Sequence, residues 1–512
     1  MRCYALLVDI VSIQRYVFGS NRLRENLGAS FLITEAYESL LKQVLKTLFK
    51  GNLNESDLDL WITQPAYSAI DDGKPFEVAY IGGGNAMLFF KEEEMAKALL
   101  REWTKQLLLY APGLSTAAAI GAFDTDKFDE SKKRLFETLT RNKNLYAPLT
   151  AIPRHGITAE CSHSGYSMDI YSPSEGQYVS SVTNAKIKAA VKAKDKIHNL
   201  FKDEIGADYC FTDDIGNLGQ KAGEDNHIAI VHIDGNSMAD RFASQGSIKA
   251  LRELSISVNY ATINSVKAMI NAFKEHKDML IKFLDIKGFK KEAGKEVLPF
   301  RPIIIGGDDI TFVSEGRLGI WLAEQFLAAF EKQSVSDQRP LDASAGVAIT
   351  KSKYPFYRGY RLSEELCKSA KTKRRENASQ GSWIDFHIAY GGISGDLEHI
   401  RRQQYTVTQG SLLMRPYCLK TTEPEHDFKT FKSNAKSLST LPNNKIKEMR
   451  EVLTLGEEQT KMFVKEMKAR GDDKKIPEIS GRNFKTSLFE DAKTPYFDMI
   501  ELMDFYPGLK EV

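Results

Sequence analysis

Two kinds of pattern alternate along the chain: short apolar runs that end in an acid or a glycine, and longer stretches with apolar residues at three- to four-residue spacing. LLVDIVSIQRYVF (6–18) and IVHIDGNSMADRF (230–242) each read as an apolar strand that ends in Asp and leads through a polar segment into a helix start. RENLGASFLITEAYESLLKQVLKTLF (24–49) and EEEMAKALLREWTKQLLLY (92–110) carry helical periodicity, and FEVAYIGGGNAMLFF (76–90) between them reads as strand, turn, strand. The same succession returns later in the chain. KALRELSISVNYATINSVKAMINAF (249–273) is helical, IIIGGDDITFV (303–313) is a hairpin, and GRLGIWLAEQFLAAFEK (316–332) is helical again.

These correspondences amount to a repeat. Asp9 and Asp234 are 225 positions apart, Gly82 and Gly306 are 224 apart, and matching STAAAIGAF to LDASAGVAI pairs Ala119 with Ala345 at 226. Three landmarks in one order at a nearly constant offset mark two copies of one domain. Each copy reads as strand, long helix, hairpin, helix, strand, helix. That order predicts an α+β fold in which helices cover one face of a mostly antiparallel, ferredoxin-like sheet. Glycines at the hairpins suit turns that need positive φ. The predicted domains are 1–145 (first copy), 146–225 (a linker or small module), 226–390 (second copy) and 391–512 (a mainly helical C-terminal domain).

Charge changes this picture little. Seventy basic and 68 acidic residues leave a formal charge of +2, so no global field advertises a nucleic-acid partner. Five scattered cysteines suit reduced thiols in a cytoplasm, and neither a cleavable leader nor a membrane-spanning run is visible. The expectation is a cytoplasmic protein without a membrane partner.

Candidate chemistry sits on the second hairpin. Asp308 and Asp309 are adjacent acids in a strand context that disfavours Asp, and the fold brings Asp234 close to the hairpin tip. Three converging carboxylates need compensation, and hard oxygen ligands favour Mg2+ or Mn2+. Such ions can stabilise the attacking and leaving oxygens of a phosphoryl transfer. Gly235, Asn236 and Ser237 lead into a helix whose free N–H groups could hold phosphates. LSEELCKSAKTKRR (362–375) reads as a helix ending in a basic cluster. In it Lys368 and Lys371 are candidate triphosphate ligands, with Lys373, Arg374 and Arg375 beside them.

IDGNSM, IIIGGDDITFV, SAGVAITKSKYPFYRGYRLSEELCKSAK and SWIDFH, in that order, resemble the second palm domain of the CRISPR polymerase family, the large subunit of type III CRISPR effector complexes. The resemblance extends over about residues 1–390, with the first copy as a degenerate palm. It implies conversion of ATP to cyclic oligoadenylates, with two ATP molecules at the palm–palm interface. It places Asp308 and Asp309 as metal-binding acids of a GGDD hairpin, Asp234 as the acid at the first strand end, and Lys371 on a helix facing the triphosphate. The first copy keeps Asp9 but has Gly84 and Asn85 where the acids would be. Gly83, Gly84 and Asn85 are therefore expected to shape a nucleotide pocket without catalysing.

The chain begins on the first palm and its first histidine is His155, so an N-terminal HD nuclease is not expected. Cys161, His163 and Cys210 lie where the family often carries a zinc module, and could form a partial zinc site although no CxxC pair exists. The dipeptide His426-Asp427 reads as surface. NAKIKAAVKAKDKIHNLF (184–201) reads as a basic amphipathic helix, on a surface or facing RNA. FTDDIGNLGQKAGEDN (211–226) reads as a loop before the second palm, and 403–419 as strands or an extended arm. The leading functional reading is a nucleotidyltransferase that makes cyclic nucleotide signals from ATP, with CRISPR effector subunits and RNA as partners, or alone with a downstream effector. A non-catalytic nucleotide- or RNA-binding scaffold is a second reading. A template-dependent polymerase is disfavoured because no basic stripe for holding a duplex is visible.

Overall fold

A computed structural model describes residues 2–50, 55–145, 150–219, 226–376, 381–391, 395–408, 410–421, 423–471, 476–477, 484 and 486–509. Parts of the predicted linker, of the 211–226 loop and of the C-terminal tail lie outside the described residues. The first copy contributes strands β1 (Arg2–Ile10), β2 (Phe76–Gly82), β3 (Asn85–Phe90) and β4 (Thr116–Asp124) in the order β2-β3-β1-β4. The second contributes β5 (His227–Gly235), β6 (Phe300–Gly306), β7 (Asp309–Glu315), β8 (Ala343–Lys351) and β9 (Trp383–Ile388). A further strand, β10 (Tyr417–Cys418), completes the sheet order β6-β7-β5-β8-β9-β10. The shared four-strand order is that of the ferredoxin-like α+β unit, so both copies fold as the alternation predicts. The second sheet is wider because β9 joins β8 in parallel and β10 then joins β9 antiparallel.

Register refines the repeat. Asp9 stands opposite Asn85, and Asp234 stands opposite Asp309. Asn85 is therefore the counterpart of Asp309, and Gly84 that of Asp308. On the other side, Asp9 faces Ala117 whereas Asp234 faces Ser344, an offset of 227. Ala119 thus corresponds to Gly346 and not to Ala345. Composition made the slipped match look good, but a one-residue slip reverses the face of every side chain.

The predicted helices form. The first is continuous over Leu23–Leu48 but widens to a π-helix at Ala36–Leu41, where the Trp103 indole donates to the Ala36 carbonyl at 2.9 Å. The 184–201 segment is a helix (Ser181–Leu200), N-capped by Ser180, with one face packed on the first palm and Lys188, Lys192 and Lys194 exposed on the other. It lies so close to the first palm that a Cβ on Gly28 would fall 1.8 Å from the Lys186 carbonyl oxygen. Lys186 is buried and donates to the Tyr16 carbonyl at 2.5 Å. An element that periodicity did not reveal sits in the second palm. The strand Lys295–Val297 pairs with Lys291–Glu292 on one side and with Tyr209–Cys210 on the other in a small separate sheet.

Two palms meet through reciprocal contacts. Phe18, at the end of the short helix after β1, stacks on Tyr360 with ring centroids 3.6 Å apart. The equivalent short helix after β5, Met238–Ala243, is held at its C-terminal end by Lys132 of the first palm, which donates to the Ala243 carbonyl at 2.9 Å. Arg252 of the second palm is buried against the first, donating to the carbonyls of Val78 and Tyr67 and pairing with Glu77 at 2.7 Å. Because the contacts are reciprocal, the hairpin tips face one another: a Cβ on Gly306 would lie 3.9 Å from the Gly83 Cα.

The C-terminal segment is mainly helical, with helices Phe428–Leu438, Asn443–Thr454, Glu457–Arg470 and Tyr496–Leu502. Its core is continuous with that of the second palm. His426 is not at the surface. It is 6% exposed, with its ring beside Trp383 and Tyr417, because β10 draws this polar stretch onto the sheet edge. No helix among the described residues is long and apolar enough to cross a membrane.

Candidate functional site

The palm strands place the predicted acids together. Asp234 ends β5, Asp309 begins β7 directly opposite it, and Asp308 occupies the turn between β6 and β7. Gly235 makes this possible: a Cβ there would fall 2.8 Å from both Cβ and Oδ2 of Asp308. The Gly235 N–H also donates to the Asp308 carbonyl at 3.2 Å, tying strand end to turn. Gly307 takes φ 60° to make that turn, and Thr262 on the long helix donates to its carbonyl at 2.6 Å. Gly306 keeps ordinary extended backbone, so not every glycine here serves a left-handed conformation.

Electrostatics follow from this crowding. Burial, then the charges of Asp234 and Asp309, push the Asp308 carboxyl up to about 8. Burial and Asp234 likewise hold Asp309 well above the usual carboxylate range. No local pattern singles out His232, buried beneath the acids with Nδ1 3.1 Å from the Thr311 hydroxyl and 3.4 Å from Asp309 Oδ1. Burial lowers its pKa, so the ring is neutral and cannot offset the acids. The Tyr360 hydroxyl donates to Glu364 at 3.0 Å behind it.

The compensating cation is Lys371. Its Nζ lies 2.5 Å from Asp234 Oδ2 and 3.1 Å from the Gly235 carbonyl, reaching in from the helix Phe356–Glu376. Lys368 is exposed one turn earlier on that helix. Arg374 pairs with Asp342 at 2.8 Å and is occupied there. Asn236 is buried: Ser344 donates to its Oδ1 at 2.9 Å, and among the described residues its Nδ2 has no hydrogen-bond partner. Ser237 is exposed in a left-handed conformation, φ 59°.

In the first palm much of this frame persists. Ser12 also has φ 59°, and the Ile10 N–H donates to the Gly84 carbonyl at 3.1 Å as Gly235 does to Asp308. Asp9 pairs with Lys143 as Asp234 pairs with Lys371. Lys143 escaped the sequence reading, although an offset of 228 relates it to Lys371 and Phe128 to Phe356. The hairpin acids are missing. Asn85 takes the place of Asp309, and among the described residues its buried Oδ1 has no hydrogen-bond partner.

The oxygen set of Asp234, Asp308 and Asp309 fits a hard divalent cation. Among the described residues Asp309 Oδ1 is buried without a hydrogen bond, and the three carboxylates, once ionised, would carry more negative charge than Lys371 alone can offset. The proposed zinc residues do not gather. His163 Nδ1 is 2.7 Å from the buried Glu25 carboxylate, Cys161 lies against the Thr183 hydroxyl, and Cys210 sits in the small sheet. A group whose ligand atoms all lie within 4.8 Å of one another is found elsewhere among the described residues, at Glu423, Glu425 and His426.

With this geometry in view, known proteins can be compared. Residues 227–379 match the family model of the second palm domain of Cas10/Cmr2. That segment is similar to a Cas10/Cmr2 second palm. Over the whole chain the fold is similar to Csm1 from T. onnurineus, with a TM-score of 0.57 at 15% identity, covering 99% of this chain and 70% of that one. A Csm1–Csm4 cassette in complex with cA4 matches with a TM-score of 0.54 at 14% identity over 98% of this chain and 70% of that one. A cassette in complex with one ATP matches at 0.51 and 14% over the same shares. These likenesses show a shared fold over nearly the whole of this chain. No curated protein matches the sequence.

Proposed function

We propose that the chain is a metal-dependent nucleotidyltransferase that joins ATP molecules into a cyclic oligoadenylate signal, in type III CRISPR or related antiviral defence. The observation that carries this reading is the convergence of Asp234, Asp308 and Asp309 on the cleft where the two hairpin tips meet. The ligands that the matching Csm1–Csm4 cassettes hold support it. A ribose hydroxyl of one ATP attacks the α-phosphorus of the next, the new phosphodiester forms, and pyrophosphate leaves with its bonding electron pair. Bound Mg2+ or Mn2+ would lower the hydroxyl's pKa and take up developing charge.

In this proposal Asp234, Asp308 and Asp309 hold the metal. Gly235, Asn236 and Ser237, with Gly306 and Gly307, form the nucleotide-binding wall of the second palm. Lys371 moves from Asp234 to the triphosphate when metal arrives, and Lys368 stands at the rim. Gly83, Gly84 and Asn85 wall the first-palm side, with Lys143 as its cation. The working domains are 1–145, 146–225, 226–390 and 391–512, the protein is cytoplasmic, and its partners are effector subunits and RNA or a downstream effector that reads the product.

One observation favours the alternative of a nucleotide-holding scaffold: Lys371 already neutralises Asp234, which leaves the acids partly compensated without a metal. Incubating the purified chain with ATP and Mg2+ or Mn2+, alone and with its effector partners, and reading products by mass spectrometry separates the two. Cyclic product lost in Asp308→Ala/Asp309→Ala supports the enzyme. Nucleotide bound without turnover under every condition supports the scaffold.

A further inference from the structure

Far along the chain from the palm acids, the turn Glu423-Pro424-Glu425-His426 gathers groups that the proposed reaction does not use. Ligand atoms of Glu423, Glu425 and His426 all lie within 4.8 Å of one another. The backbone presets this arrangement. The His426 N–H donates to the Glu423 carbonyl at 3.1 Å, closing a β-turn with Pro424 at the position its fixed φ favours. The turn is anchored at its far end. The Cys418 N–H of β10 donates to the His426 carbonyl at 2.7 Å, and Asp427 caps the helix Phe428–Leu438 by accepting from the Thr430 N–H at 2.7 Å.

The imidazole supplies an independent observation. It is 6% exposed, and its Nδ1 lies 3.0 Å from the Pro416 carbonyl oxygen. A carbonyl can only accept, so Nδ1 carries the proton and Nε2 presents a lone pair, the arrangement that orients a metal-ligating histidine. Among the described residues Nε2 has no hydrogen-bond partner; Glu425 Oε1 is 4.0 Å away. Ligands roughly 2.0–2.2 Å from one ion are at most about 4.4 Å apart, so small side-chain rotations would close the set.

We propose that Glu423, Glu425 and His426 bind a divalent transition-metal ion, zinc by preference, through Nε2 and one oxygen from each carboxylate, with water completing the coordination. One imidazole and two carboxylates suit Zn2+, whereas Mg2+ prefers oxygen alone and retains its waters. The ion would clamp the start of the C-terminal helices to the edge of the second palm sheet.

The test titrates metal-depleted full-length chain with Zn2+ by calorimetry and with Co2+ by visible absorption. An Asp308→Asn/Asp309→Asn background removes competition from the palm acids. The expected result is one equivalent of Zn2+ that excess Mg2+ does not displace, with d–d bands of low-coordinate Co2+. Glu425→Gln and Glu423→Gln each weaken binding by about 10-fold or more, because a direct ligand matters at least as much as a residue that orients one. These exposed-side variants keep the fold, checked by near-ultraviolet circular dichroism, even if His426→Ala does not. Absence of stoichiometric Zn2+, or affinity unchanged in both Gln variants, overturns the proposal.

Discussion

The two hairpin tips of the palms differ more deeply than by the loss of acids. At the first tip Gly83 and Gly84 both have positive φ, 60° and 79°. At the second only Gly307 does, at 60°, and Asp308 keeps a negative φ. The first is the pattern of a type I′ turn, the second of a type II′ turn. A carboxylate at the position of Asp308 is thus carried on relaxed backbone, whereas the same residue at position 84 would be strained. A Cβ on Gly84 would also fall 2.6 Å from Ile13 Cδ1. The first palm has changed its turn as well as its side chains, while keeping the Asp9–Lys143 pair and the left-handed Ser12. What survives is the acid–lysine pair and the turn beside it, and what is lost is the pair of hairpin carboxylates.

The sharpest way to break this comparison is to neutralise the second tip. Asp308→Asn with Asp309→Asn is expected to lower cyclic product by at least about 100-fold, beyond what outer-shell changes at a metal cost. The reciprocal Gly84→Asp/Asn85→Asp change is expected to add no activity; gain of product in quantitative mass spectrometry would mean that side chains alone separate the palms.

Next in size come the two lysines. Lys371→Met is expected to reduce kcat by roughly 10- to 100-fold, the scale of a lost charged hydrogen bond. Lys143→Met should instead raise KM for ATP with a smaller change in kcat. Equal effects of both on both constants would show that the palms handle nucleotide alike.

A smaller effect should appear in the pH dependence of stability. Raised carboxyl pKa values mean that the folded chain holds protons the unfolded chain has released, between the unfolded value near 4 and about 8 for Asp308. Metal-free stability from this source therefore falls as pH rises through that window. A divalent cation replaces the proton, so thermal stabilisation by Mg2+ should be larger at pH 8 than at pH 6. Asp308→Asn should flatten the difference, and an equal Mg2+ shift at both pH values in the native sequence would contradict it.

The smallest effects belong to the glycines. Gly84→Ala should cost about 1–2 kcal/mol because it forces a side chain into left-handed backbone. Gly306→Ala should cost under about 1 kcal/mol, since its backbone is ordinary and the added methyl makes an ordinary contact with Gly83. Denaturant midpoints of the two variants compare them directly.

Much of the palm architecture was legible because the repeat encodes it twice: apolar alternation, two aspartates at strand ends and glycines at hairpins recur at a near-constant offset. The candidate acids were legible for the same reason, since Asp308 and Asp309 break a strand pattern that the first copy leaves intact. Lys143 was within reach of the same offset but lies in a helix whose charged surface hides one functional residue among many. His232 and His426 were not legible. Each is one imidazole in a segment whose role depends on what packs over it, and β10 joins the sheet through two residues too short to carry a period.

The sequence by itself determined which segments become helices and strands, because those choices rest on local periodicity and on turn residues that few alternatives can replace. It also determined that the two copies differ at one hairpin. Only the tertiary structure decided that Lys371 rests on Asp234, that the hairpin tips face each other, and that Lys186 and His426 are buried. Those outcomes depend on packing between elements distant in the chain, where burial and charge are set by neighbours that no local pattern specifies.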